Sequence, residues 1–198
     1  DNHFRGEFLR ELRRIADERE VILVFDEVQT GVGVTGKMWC HEHFDVRPDI
    51  LAFGKKAQVC GIMASNRLNE VESVFKVSSR INSTWGGNLV DMYRAKRILE
   101  IIEEERLVDN AAKMGSALLK HLGDLEKRWP ALISNARGRG LFCAFDLPDT
   151  ACRDALLTTV IKHGLLVLKC GTKTIRFRPP LNVKKEEIDA AAGIIEAA

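Results

Sequence analysis

An acid and an amine stand at the ends of two strand-like runs that read as buried strands. Asp26 closes the apolar run 21–25, and Lys55 follows the run 49–53 after one glycine. Parallel α/β sheets bind ligands outside the carboxyl ends of their strands, so side chains placed there meet whatever fills the crevice. A lysine that forms a Schiff base must be neutral part of the time, and burial or nearby positive charge favours that by disfavouring the ammonium. An aspartate at the neighbouring strand end can pair with a protonated pyridine nitrogen and keep the ring an electron sink. Asp26 and Lys55 thus outline a pyridoxal phosphate site. Each alone has a plainer use: a strand-end aspartate caps the next turn, and Lys55-Lys56 can be a solvated loop.

Three other chemistries are suggested nearby and fail on context. Gly31, Gly33 and Gly36 satisfy the dinucleotide G-x-G-x-x-G spacing, but five residues separate the strand from the first glycine, where the fingerprint needs none. Gly31 to Lys37 also approaches a phosphate loop, yet Met38 stands where Ser or Thr must hold magnesium. His41 and His43 at i,i+2, with no further ligand cluster, read as a solvated turn rather than a metal site.

The elements that must position the pair follow from periodicity. Phe4, Phe8, Leu9, Leu12, Ile15 and Ala16 recur at helical spacing ahead of the first strand. A long helical pattern spans 89 to about 129, interrupted near 107–110 and stopped by Pro130. Strands are expected at 140–145, 165–168 and 174–177, with helices at 151–163 and from Lys185. Interleaved strands and helices mean an α/β or α+β unit, and the parallel-sheet material of the first part favours α/β. Residues 1–88 read as parallel-sheet material of a larger domain, 89–105 as a connecting helix and 106–198 as a smaller carboxyl-terminal domain.

Composition excludes several classes. The 198 residues are 45% hydrophobic with a net charge of +2, and the basic residues are scattered, which argues against nucleic acid as a partner. The apolar runs are far shorter than the roughly 18–20 residues of a membrane span. Five cysteines without C-x-x-C spacing fit reduced thiols in a cytoplasm. The chain begins at Asp1 rather than methionine and reads as a piece of a longer polypeptide.

The wording around the pair carries a resemblance. FDEVQTGVGVTGK, DILAFGKK, NSTWGGN, RGRGLFCAFDLP and IRFRPPL occur in that order, and together they resemble the class III (omega) aminotransferases of the fold-type I pyridoxal phosphate family. FGKKAQVCGIMA and RINSTWGGN are most similar to the branch that acts on the terminal amine of lysine. The 4-aminobutyrate branch shares FxKK, NTW and RGRGxFCxFD. The resemblance covers nearly all of this chain and the carboxyl-terminal portion of such an enzyme.

What the resemblance implies is specific. Asp26 would salt-bridge the pyridine nitrogen of pyridoxal 5'-phosphate, and Gln29 would hydrogen-bond its phenolic oxygen. Lys55, not Lys56, would bind the cofactor and shuttle the proton. Thr84, with Ser83, would donate to the cofactor phosphate of the partner subunit, giving a homodimer with a shared site. Arg176 would grip the α-carboxylate of 2-oxoglutarate through a bidentate fork. Rival readings are a turn-satisfying Gln29, Ser83 and Thr84 as helix caps, and an outward-pointing Arg176. Glu27, Arg139 and Arg178 read as structural.

The implied activity moves the ε-amino group of lysine to 2-oxoglutarate, with 4-aminobutyrate or ornithine as alternative donors. A phosphate loop and a glutamate that masks Arg176 would precede Asp1, so this segment alone could be inactive and would expose apolar helix surface. A nucleotide-binding module is the non-enzyme alternative.

Overall fold

The computed structural model describes residues 2–81 and 84–198, and they form two compact units. The first takes in Phe4–Val32 and Trp39–Glu105. Its leading helix α1 (Gly6–Glu18) carries Arg-Glu pairs along its polar face, Arg10 to Glu7 and Arg14 to both Glu11 and Glu18. Strand β1 (Val24–Asp26) then pairs in parallel with β2 (Ile50–Phe53), and β3 (Gly61–Ala64) pairs antiparallel on the other side of β2. The register sets Val24 against Ile50, Phe25 against Leu51 and Asp26 against Ala52.

Asp49 fixes that register from the opposite end. Its buried carboxylate accepts from the Leu23 amide at 2.7 Å, from Arg13 at 2.9 Å and from Arg67 at 3.4 Å, and its own amide donates to the Leu23 carbonyl at 2.8 Å. Burial pushes this carboxyl up, but the Leu23 amide and the Arg13 guanidinium outweigh it and hold it below the usual carboxylate range. Unit one ends in helix α2 (Leu89–Glu104), where the Asn88 side chain caps the first turn by accepting from the Val90 amide at 2.9 Å.

The expectation of two buried strands needs correction. Val21, ahead of β1, and Val24, its first residue, are 55% and 54% exposed, and β1 is an edge of a three-stranded sheet. Phe4 and Phe8 of the leading segment stack on each other at 5.2 Å while staying about half exposed. β1 also starts at Val24 rather than at Val21.

The second unit takes in Gly33–Met38 and Arg106–Ala198. Helix α3 (Leu107–Arg128) lays Ala111, Met114, Leu118, Leu122 and Leu125 along one buried stripe at the spacing of a core-facing helix. It packs on an antiparallel sheet ordered β4-β5-β7-β6, built from β4 (Ser134–Arg139), β5 (Phe142–Asp146), β6 (Leu168–Cys170) and β7 (Thr174–Phe177). Helices α4 (Thr150–Lys162) and α5 (Lys185–Ala197) complete the unit. All five residues of β5 are buried, since this strand has neighbours on both edges and lies in the core.

Three boundaries differ from the sequence expectation. The long helix breaks at Glu105 and Arg106, where Arg106 takes a left-handed φ of 52°, rather than at 107–110. β4 was not expected, because SNARGR lacks the β-branched and aromatic residues that mark strands. It forms because the Glu126 carboxylate accepts from the amides of Asn135 at 2.7 Å and Ala136 at 3.3 Å, and β5 pairs along it. β6 begins at Leu168, where the expected strand 165–168 ends.

The RGRG turn between β4 and β5 is a packing device. Gly140 has φ +52°, and a Cβ there would lie 2.3 Å from the Thr35 carbonyl carbon. The Leu141 amide donates to the Val34 carbonyl at 2.8 Å, so the glycine-rich segment Gly33–Met38 seats directly against this turn.

Candidate active site

Because β1 and β2 run parallel with Asp26 opposite Ala52, Asp26 and the residues after Phe53 leave the sheet at one edge. That edge is the carboxyl end, where ligands bind in α/β sheets. The Glu27 amide donates to the Ala52 carbonyl at 2.8 Å, tying the first loop residue to β2. Asp26 Oδ1 accepts from the Val28 amide at 2.9 Å, a local turn that orients the carboxylate, and the side chain is exposed.

Past β2, Gly54 leads into a 3₁₀ turn over Lys55–Ala57. A Cβ on Gly54 would stand 3.0 Å from Cys60 Sγ and 3.6 Å from Val28 Cγ1, so the two loops meet over this glycine. Lys55 itself takes φ +48°, a region non-glycine residues occupy at a cost of about 1–3 kcal/mol. Its side chain is exposed, and among the described residues its amine has no hydrogen-bond or ion-pair partner. The burial expected to neutralise Lys55 is therefore not supplied by the described residues. Three strands with β1 at the edge leave this end of the sheet open.

Lys56 behaves differently. It is half-buried, and its Nζ donates to the carbonyl oxygens of Gln29 and Gly31, each at 3.0 Å. Of the two adjacent lysines, Lys56 is engaged by the backbone and Lys55 presents its amine. Glu27 anchors the same loop from below. Its carboxylate is 3% exposed and accepts from the amides of Cys40 at 2.6 Å and His41 at 2.9 Å, from the Thr30 hydroxyl at 3.2 Å, and contacts His41 Nδ1 at 2.9 Å. Burial pushes the Glu27 carboxyl up, yet His41 and the two amides prevail and hold it below the ordinary glutamate value. Glu27 is structural, as its sequence context suggested.

The glycine that began both phosphate-loop patterns is explained by the same packing. A Cβ at Gly31 would meet the Trp39 ring at 2.6 Å and the Glu27 carbonyl at 2.8 Å. The residues that follow form turns, and the next helical segment, Cys40–His43, is a single 3₁₀ turn. His41 is held by Glu27, and among the described residues no group of three or more His, Cys, Asp or Glu side chains could hold a metal ion.

Gln29 lies on the Asp26 loop with an exposed side chain that has no hydrogen-bond partner among the described residues, so it does not serve to satisfy the turn. Thr84 is exposed, and α2 is capped by Asn88 instead. Ser83 lies outside the described residues. Arg176 belongs to the second unit, on the interior strand β7 between Ala144 of β5 and Leu168 of β6. It helps line a cavity of about 420 Å³ with Leu165, Leu168, Pro179 and Pro180.

Arg178, two residues on, places its guanidinium 3.3 Å from the centre of the Phe142 ring and donates to the Phe177 carbonyl at 2.5 Å. Burial, then the neighbouring Arg176 charge, lowers its pKa to about 10. The first unit thus brings Asp26, Gln29 and Lys55 to one edge. Sequence reasoning passed over Lys56 and His41 as contributors, and no motif could have found the lysine, because its acceptors are backbone carbonyls.

Comparison with known proteins gives one consistent relationship. The Aminotransferase class-III family model matches residues 1–198. The L-lysine-epsilon aminotransferase of Mycobacterium tuberculosis is 52% identical over 199 residues, covering 100% of this chain and 44% of that protein. Human mitochondrial 4-aminobutyrate aminotransferase is 40% identical over 183 residues, covering 91% and 36% respectively. The solved lysine aminotransferase from M. tuberculosis in the internal aldimine form superimposes with a TM-score of 0.97 over 100% of this chain and 46% of its own, at 52% identity. An ornithine aminotransferase from Plasmodium yoelii gives 0.84 at 30% identity, over 96% and 52%. The chain spans less than half the length of the curated relatives it matches.

Proposed function

This chain belongs to the class-III aminotransferases, pyridoxal phosphate enzymes of fold type I, and from that membership we propose that it forms the lysine-bearing part of a transaminase for the terminal amine of L-lysine. The observation that carries the reading is the arrangement at the carboxyl edge of β1 and β2. One exposed carboxylate leaves it together with one amide and one primary amine that are unengaged among the described residues. That set fits the cofactor's polar groups: an acceptor for the ring nitrogen, a donor for the phenolic oxygen and a nucleophile for the aldehyde carbon.

Bound there, pyridoxal phosphate supplies an electron sink for the substrate carbon that loses its proton. Asp26 would hold a proton on the ring nitrogen, Gln29 would donate to the phenolic oxygen, and Lys55 Nζ would take the proton from the substrate carbon and return it one position along. Thr84 would donate to the phosphate bound by the partner subunit of a homodimer, the role proposed from sequence for Ser83 as well. Arg176 holds the α-carboxylate of 2-oxoglutarate. Lysine and 2-oxoglutarate react in turn by a ping-pong scheme, giving an aldehyde and glutamate.

The donor rests on similarity to lysine aminotransferases, which at 52% identity exceeds the 40% to 4-aminobutyrate aminotransferases. Assaying lysine, 4-aminobutyrate and ornithine with 2-oxoglutarate in the full-length protein tests it. Lysine should give the highest kcat/KM. Turnover of 4-aminobutyrate with none of lysine would overturn the substrate while leaving the reaction class intact.

A further inference from the structure

We propose that Lys56 is a positioning residue that holds the Asp26 loop in the shape its cofactor contacts require, an inference that rests on the cofactor reading above. The loop is tied at its start by the Glu27 amide on the Ala52 carbonyl and closes on itself through the Gly31 amide on the Glu27 carbonyl at 2.7 Å. Between those points it carries Gln29. Lys56 Nζ bridges the Gln29 and Gly31 carbonyls at 3.0 Å each, so one ammonium fixes the backbone on both sides of Thr30. The bridge starts from the 3₁₀ turn that presents Lys55, one residue away. Loop and turn are therefore joined through the neighbour of Lys55.

A purely structural role fits less well. The loop's fold already stands on the four donors to Glu27 and on the strand pairing, none of which involves Lys56. The Gln29 carbonyl bond is exposed, so water can replace the ammonium there without unfolding the segment. What water cannot supply is a charged donor tethered to the turn that presents Lys55. Charge-assisted bonds of this kind rank among the stronger ones, and their loss should be read in the loop's order rather than in global stability.

The test uses the full-length enzyme and titrates pyridoxal phosphate, reading its visible absorbance. Lys56→Met should weaken cofactor binding about tenfold, the effect of weakening a single hydrogen bond to a charged group. It should also move the band in the same direction as Gln29→Ala. The double variant should be no worse than the weaker single variant by more than about twofold, because both changes disable one contact. Lys56→Arg keeps two donors and should bind within about threefold of the parent protein. Should Lys56→Met fail to fold, Lys56→Ala, which also removes the donor, replaces it in each comparison.

Unchanged affinity and band in the donor-deleting variant, or additive losses in the double variant, would overturn the inference. Reductive trapping of the cofactor in the parent protein separates its failure from that of the functional reading. Cofactor on Lys55 with an indifferent Lys56 sinks the positioning role alone. Cofactor on Lys56 sinks both.

Discussion

Replacing Glu27 by Gln should loosen the loop beneath the candidate site without touching its reacting groups. The carboxylate gathers four donors in a place only 3% exposed. A glutamine keeps one oxygen, which settles on the His41 side where the His41 amide and ring nitrogen converge. Its NH₂ then faces the Cys40 amide, formerly 2.6 Å from a carboxylate oxygen, and the Thr30 hydroxyl, which can rotate to accept. The net loss is one charge-assisted bond, one buried amide left unsatisfied and weaker bonds on the remaining oxygen, or about 2–4 kcal/mol. Hydrogen exchange of the Cys40 amide in the full-length protein reads this directly. Exchange should accelerate between about thirtyfold and about a thousandfold, since each 1.4 kcal/mol is a factor of ten.

The acid dependence has a definite sign. Glu27's folded carboxyl lies below its ordinary value, so its contribution is complete above about pH 4.3 and disappears as pH falls through the lower folded value. The gap between the two proteins should therefore narrow only in acid. A Cys40 exchange rate within threefold of the parent at neutral pH would refute the account of how this loop is held.

Other outcomes follow from the same geometry. Gly140→Ala places a Cβ 2.3 Å from the Thr35 carbonyl carbon in a left-handed conformation, so the second unit should lose several kcal/mol, read as a lowered unfolding midpoint; a drop below about 1 kcal/mol would contradict the packing of Gly33–Met38 against this turn. The Cys143 thiol is buried and pushed up to about 12 by that burial, so at pH 8 a thiol reagent should label the exposed Cys60 first and leave Cys143 unlabelled until the protein unfolds. Leu118→Ala, in the fully buried stripe of α3, should cost about 2–5 kcal/mol in denaturant unfolding, and a smaller loss would mean the site collapses around the cavity. Asp26→Asn should leave the fold intact, since the amide oxygen can still accept from the Val28 amide, while weakening cofactor binding at least tenfold in a titration.

Sequence reasoning reached the site through residue types that physics constrains tightly. A strand ending in Asp26 and another followed by Lys55 implied a shared edge, and the Asp26–Ala52 register supplies it. The strand over Thr174–Phe177 and the helix from Lys185 were legible because periodicity and flanking turns agree there. β4 was not, since Ser, Asn, Arg and Gly carry no strand signal and the Glu126 carboxylate that organises them sits on the preceding helix, beyond the turn at Pro130. The break at Arg106 depends on one residue in a left-handed conformation. Burial of β1 was misjudged because an apolar run does not say which of its side chains a neighbouring element will cover, and Val24 stays 54% exposed.

The separate duties of Lys55 and Lys56 are the centre of the account. Borohydride reduction of the full-length enzyme with pyridoxal phosphate bound, followed by peptide mapping, decides between them in one experiment. The account predicts the cofactor covalently fixed to Lys55. Label on Lys56, or none on either lysine, would contradict it.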